Sequence, residues 1–390
     1  LNHASAVVNL KGILTCAGNL TITAGELDTD SSSNFALTVT GGNLSVSGTL
    51  LLNNSTVLVS DTDAVLHCGN SGTVTCANTN LTVNAVSIGQ GAFTAPSASG
   101  SFIITGENSG LAFDYDGNQF IHNSGTIQIK TAASTFVDFT PNDAAHADIN
   151  NVTIDHASCL AKWTHACTIA GDLLIKQGGM EPDAGDEDFT VQGNVTIGDG
   201  TGSANTAVLG NLADDTAAMT FGSLTINSDG KYNATSGTTT ITAETASHAW
   251  NNTGGTFTHN NGKVKIFDAT GTVMGSTSVR ENTFYDLEIS LHVATYTCSL
   301  YDVSGNAVTI LNNLDVTKGE VEFSTASDTI TIHGLTNITA DAKFCDNAGH
   351  DTNKIIHNGL VTNLGTYNIN DGTTVKLNGG IRQLGTLTVK

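Results

Sequence analysis

Four zinc-type ligands, His156, Cys159, His165 and Cys167, fall within Asp155–Cys167 (DHASCLAKWTHAC). Imidazole and thiolate are the groups zinc takes, yet the order His-x2-Cys-x5-His-x-Cys fits no standard knuckle. On a strand, His165 and Cys167 share a face, and a packed, hydrogen-bonded interior pair is the simpler reading of that spacing. A second group is acidic: Asp183, Asp186, Glu187 and Asp188 in DAGDED, and Asp214 with Asp215. Oxygen-rich turns suit hard cations, so Ca²⁺ is the cofactor to weigh here, with Asp183, Asp186 and Asp188 as its metal candidates. Glycoside hydrolysis would need two carboxylates about 5–9.5 Å apart, which neighbouring coils could present. A solvated acidic loop accounts for the same residues with less. Asp114–Asn118 (DYDGN) has part of a calcium loop, but its Gly comes two positions too early for an EF-hand.

Other chemistry-bearing residues recur. His122 sits in FIHNSGTIQIK, His259 in FTHNNGKVKIF and His357 in IHNG. Recurrence in a repeat argues for a structural duty, such as a corner hydrogen bond to a neighbouring coil. Sequons at Asn19, Asn43, Asn80, Asn151 and Asn194 coincide with the start of a strand pattern, and corner-then-strand grammar explains them better than glycan attachment. Tyr115, Tyr232, Tyr285 and Tyr301 are the tyrosines that could stack on sugar rings. The cysteines number 7, at 16, 68, 76, 159, 167, 298 and 345. Cys68/Cys76 and Cys159/Cys167 share a spacing that permits local bridges, although free cysteine commonly behaves as a small buried hydrophobe.

The elements that must position these residues come from a repeat. One passage begins at Asn19, again at Asp172 and again at Asn313. Within it runs a shorter signature: a small polar residue, an apolar one, a variable one often Thr, then another apolar one. It appears at Asn19–Ile22, Asn43–Val46, Asn80–Val83, Asn151–Ile154, Asp172–Ile175, Asn194–Ile197, Ser223–Ile226, Asp286–Ile289, Asn313–Val316 and Thr386–Val389. Alternation turns one face of each run inward, and a single coil cannot bury that face. Coils stacked at about 4.8 Å can. The spacing therefore predicts an all-β fold: a parallel β-helix (β-solenoid), right-handed by general preference, with about 14–18 coils and a shaft on the order of 70–85 Å. Asn and Gly suit its corners, and stacked Asn side chains would bond from coil to coil. Ala161–Ile175 comes nearest to a helical pattern and also fits a strand. Three modules are expected in one continuous stack: 1–150, 151–290 and 291–390. Loops that vary between copies, Thr94–Gly100, Asp183–Asp188 and Gly198–Asn205, are where recognition should gather.

Composition narrows the function. Only 13% of the 390 residues are charged, the net charge is −22, and no Lys or Arg occurs between Gly12 and Ile129. A phosphate backbone needs cations to displace its counterions, so nucleic acid is excluded as a partner. Adhesion to an anionic bilayer is disfavoured for the same reason. No apolar run is long enough for a membrane span. Enzymes acting on polyuronates use Arg or Lys beside their acids, and the only arginines, Arg280 and Arg382, lie far from the acidic clusters in sequence.

The phrases GTFTHNNGKVKIF, NTFYDLEIS and NLDVTKGEVEF resemble the repeats of large virion proteins of marine tailed phages. They are also similar to repeats of bacterial surface adhesins. The resemblance implies an elongated solenoid serving as a tail fibre, spike or surface appendage. It carries over no catalytic residue, because the shared motif is the scaffold. Gly349-His350-Asp351 resembles a motif of pectin hydrolases, but the remainder of that constellation is missing. The expected function is thus non-enzymatic: an extracellular structural and adhesion protein on the virion surface. Its partners would be further copies of itself (a homotrimer suits a fibre), other virion proteins, and host surface polysaccharide. A bacterial cell-surface adhesin and a polysaccharide-degrading β-helix enzyme are the alternatives.

Overall fold

The computed structural model describes residues 1–115, 119–138, 149–183, 187–210, 216–271, 274–301, 307–323, 329–345, 354–369 and 373–389. Every regular element among them is a β-strand. Parallel coils stack into a β-solenoid of about 15 turns, as the alternating runs predict. The chain forms two compact units, Leu1–Asp188 and Phe189–Lys390.

In the first unit the coils up to Ile129 supply strands to three rows, and the long strand Asn151–Trp163 then serves the second and third rows together. The first row holds Ala24–Asp28, Thr49–Asn53, Thr73–Cys76, Ala92–Thr94 and Gln119–Ile121. The second holds Leu37–Val39, Thr56–Val59, Asn80–Val83, Ser101–Ile104 and Thr126–Ile129. The third holds Leu44–Val46, Val65–Cys68, Ala85–Ile88 and Leu111–Tyr115. In-register pairing lines up the inward residues of the second row in one column: Leu37, Val57, Leu81, Phe102, Ile127, Val152 and Leu173. All are buried. Burial of a side chain of this size contributes about 1.5–3 kcal/mol, so one such column is a large part of what holds the unit together. Where coils widen, rings fill the interior: Phe93 stacks on Phe120 at 5.9 Å, and Phe113 meets Phe120 edge-on at 5.8 Å.

The second unit repeats the scheme. Val264, Leu287 and Leu314 form an inward column, flanked by Ile266, Ile289 and Val316. Its outer face carries charge pairs one coil apart. Lys265 meets Glu288 at 2.9 Å, Lys263 meets the same carboxylate at 3.0 Å, and Lys343 meets Glu320 at 2.7 Å. Burial acts to raise the Glu288 carboxyl, but Lys265 and Lys263 outweigh it and hold the group below the ordinary carboxylate range.

The strand-start signature has a physical explanation. At Asn19, Asn43, Asn151, Asp286 and Asn313 its polar side chain accepts a backbone N–H from the next coil, and at Asn80 and Asn194 it accepts a serine hydroxyl from that coil. Asn19 Oδ1 takes Asn43 N at 2.8 Å, Asn43 Oδ1 takes Val65 N at 2.9 Å, and Asn151 Oδ1 takes Asp172 N at 2.7 Å. In the second unit Asp286 takes Asn313 N at 2.8 Å, and Asn313 takes Leu335 N at 2.9 Å. The expected Asn-to-Asn stacking is thus largely side chain to backbone. The signature also does not mark one face: Leu44–Val46 lies in the third row, whereas Asn80–Val83 lies in the second.

Two corners of the first unit require glycine. Gly25 and Gly178 have φ of 83° and 84°. A Cβ at Gly178 would lie 2.4 Å from the His156 carbonyl oxygen. Gly178→Ala is therefore expected to destabilise the first unit by about 1–3 kcal/mol, measured by urea unfolding. A loss within a few tenths of a kcal/mol would contradict the corner assigned here.

A polar cleft on the third strand row

A cavity of about 340 Å³ opens on the outer side of the third row in the first unit. In-register pairing stacks Ser45, His67, Ser87 and Asp114 one above another on four successive coils. Each occupies the outward position of an apolar-x-apolar run, so the residues that bury the coil also hold this side chain outward. The Ser87 hydroxyl donates to Asp114 Oδ2 at 3.2 Å, and His67 Nδ1 lies 3.3 Å from the same hydroxyl oxygen. With the hydroxyl proton on Asp114, the imidazole supplies the N–H of the second bond. Serine thus stands between imidazole and carboxylate. In the nucleophilic Ser–His–Asp relay it is the histidine that stands in the middle. The arrangement presents a fixed row of hydrogen-bonding groups at coil spacing.

A reverse turn forms one wall. Asn108 and Leu111 pair antiparallel across it. Its central residues Ser109 and Gly110 both have positive φ, 54° and 89°. Such a turn reverses the chain in the least space. Asn108 Nδ2 reaches back two coils to the Asp63 carbonyl at 2.7 Å, and the Glu107 carboxylate accepts the Gly110 N–H. Val65, Val86 and Leu111 add apolar surface, and Asn43 lies at the rim. Among the described residues of the lining, Asp114 is the one acidic side chain and no lysine or arginine contributes.

The second unit carries a related turn, Thr245–His248, with Ala246 and Ser247 at φ of 49° and 69°. Thr245 is strapped back to Asn194, and the Ser278 hydroxyl donates to the Ser247 carbonyl at 2.9 Å. Here the turn lies down on its own ladder, where His248 is bonded to Ser278. Burial, assisted by Arg280, holds the His248 imidazole below its ordinary value.

Cys159 and Cys167 are buried, and Thr131 donates to Cys159 Sγ at 3.3 Å. The expectation that His165 shares the face of Cys167 is corrected. Strand pairing ends at Trp163 and resumes at Cys167, so His165 lies on a bend, is exposed, and contacts Thr164 at 3.0 Å. All seven cysteines are free thiols, so the local bridges do not form. Asp183 lies 3.6 Å from Lys162 Nζ, Asp188 is exposed, and Asp186 lies outside the described residues. So do Asp214, Asp215, His350 and Asp351. Among the described residues no three His, Cys, Asp or Glu side chains converge to hold a metal. In the Gly198–Asn205 loop the N–H groups of Asp199, Gly200 and Gly202 point at the buried Asp229 carboxylate, a nest already filled from within.

His122 and His259 do occupy equivalent corners, where Nδ1 accepts Ser124 N at 2.9 Å and Asn261 N at 3.0 Å. The bond is to their own turn, not to a neighbouring coil. The adjacent asparagines make the inter-coil link: Asn123 Nδ2 to Ala95 O at 3.2 Å and Asn260 Nδ2 to Ala234 O at 2.7 Å. His357 breaks the equivalence and points into the core. Tyr115 and Tyr232 are likewise buried, which removes them as sugar-stacking groups, and Tyr285 lies against His259 at 5.7 Å. The cleft itself escaped sequence reading because its four ladder residues are spread from 45 to 114. The readable signals were a polar residue at the outward position of successive strands and the Asn108-Ser109-Gly110 turn. No helix of the described residues is long and apolar enough to cross a membrane. No protein-family model, curated protein or solved structure matches the chain.

Proposed function

We propose that this chain is a non-enzymatic structural and adhesion protein, a solenoid shaft of a phage virion appendage that contacts host surface glycans. The observation that carries the glycan part is the cleft, where hydroxyl, amide, imidazole and carboxylate groups stand at fixed spacing beside an apolar floor. Sugars present hydroxyls and a C–H face, and such a surface matches both. The shaft part is supported by parallel coils whose side-chain bonds from one coil to the next recur in both units. The appendage part rests on the resemblance of the repeat phrases to virion proteins.

The test places the full chain on an array of bacterial surface glycans and then incubates it with the glycans that bind. Retention of a defined subset, with no new reducing or unsaturated ends, is expected. New ends would assign a polysaccharide-degrading enzyme instead. Retention of none would contradict glycan adhesion.

A further inference from the structure

The charge of the cleft carries the glycan reading one step further, and the step rests on that reading. We infer that the cleft takes an uncharged sugar unit and rejects uronic, sialic, sulfated and phosphorylated ones. Among the described residues the lining holds one carboxylate, Asp114, and no lysine or arginine. The sequence has no lysine or arginine between Gly12 and Ile129, a span that includes every residue named in the lining. An anionic sugar would lose its hydration beside Asp114 and gain no counter-charge, and like charges brought together in a partly desolvated site repel strongly. A sugar hydroxyl gains a charge-assisted bond at the same carboxylate. Asp114 accepts the Ser87 hydroxyl, and a carboxylate offers about four acceptor positions in all.

Size and spacing agree. At about 340 Å³ the cleft is at the small end of ligand sites, suited to one ring and the start of the next. Ser45, His67, Ser87 and Asp114 repeat at the coil spacing of about 4.8 Å, close to the length of one pyranose residue in a chain. A glycan lying along the ladder would therefore meet an equivalent polar group at each step, with Leu111 and Val65 under its C–H faces.

The test measures calorimetric binding of the full chain to a neutral oligosaccharide taken from the array and to the same backbone bearing a carboxylate. Wild type is expected to bind the neutral form at least about tenfold more tightly. Ser87→Ala should weaken the neutral ligand about tenfold, the scale of one lost hydrogen bond. Asp114→Asn removes the charge, so it should weaken the neutral form through loss of the charge-assisted bond and gain affinity for the acidic form, narrowing or reversing the preference. Circular dichroism checks that each variant is folded. Equal or tighter binding of the acidic form by wild type, or an unchanged preference in Asp114→Asn, overturns the inference while glycan adhesion stands. Neutral binding that is indifferent to Ser87→Ala places the ligand elsewhere and overturns it too. Binding of neither form overturns glycan adhesion, and this inference with it.

Discussion

Trp250→Ala is expected to destabilise the Phe189–Lys390 unit by about 3–5 kcal/mol. Trp250 is fully buried and sits within a cluster of rings in that unit. Its indole lies 4.7 Å from the Phe257 ring, 5.8 Å from Phe284 and 5.9 Å from Tyr232. These partners belong to different strands, Gly230–Asn233, Thr256–Thr258 and Thr283–Phe284, so the truncation opens a cavity that no single side chain can fill. Edge-to-face contacts of this kind add about 0.5–1.5 kcal/mol each beyond their area. Denaturant unfolding followed by far-ultraviolet circular dichroism measures the effect, with Trp250→Phe as the milder control. A loss below about 1 kcal/mol would mean that the cluster is not the packed centre of the unit.

Acid should weaken the same unit through His357. This imidazole is buried, with Nδ1 2.8 Å from Thr336 Oγ1 and Nε2 3.0 Å from the Tyr367 hydroxyl. Burial pushes its pKa down from 6.5 to about 4. Below pH 6.5 the unfolded chain takes up a proton that the folded chain keeps off. The stabilisation is therefore complete above pH 6.5 and is lost as pH falls toward 4, by on the order of 3 kcal/mol. Glu281 acts in the opposite sense. Burial raises its carboxyl, so its contribution is present at low pH and is lost as pH rises through the raised value. Comparing wild type with His357→Gln isolates the histidine: unfolding free energy plotted from pH 7.5 to 4 should fall less steeply in the variant. Parallel curves for the two proteins would contradict a buried neutral imidazole.

Much of the fold was legible because the solenoid repeats a local instruction. Asn80–Val83 and Asp286–Ile289 each say where a strand begins, which residues turn inward and which side chain bonds to the next coil. What they do not say is which row the strand joins. That depends on the lengths of the corners, and the same signature reaches the third row at Leu44–Val46 and the second at Asn80–Val83. The three histidines show the same limit. His122 and His259 precede residues with positive φ, Asn123 and Asn260, and turn outward at corners. His357 ends a strand whose phase carries it inward, a difference that IHNG alone does not display. The cleft was illegible for a related reason. Ser45, His67, Ser87 and Asp114 are each unremarkable in sequence and acquire meaning only when coils of unequal length come into register.

The central claim is that these coils stack in parallel and in register. The outward residues Thr38, Leu58, Thr82, Ile103, Gln128 and Thr153 form one ladder in the first unit. Spin labels introduced at Thr38 and Gln128, and at Thr38 and Thr153, with chemistry that spares the native cysteines, should report backbone separations of about 19 Å and about 24 Å, one coil spacing apart. Separations that do not lengthen by that single step, or that shorten from Gln128 to Thr153, would contradict the parallel stack.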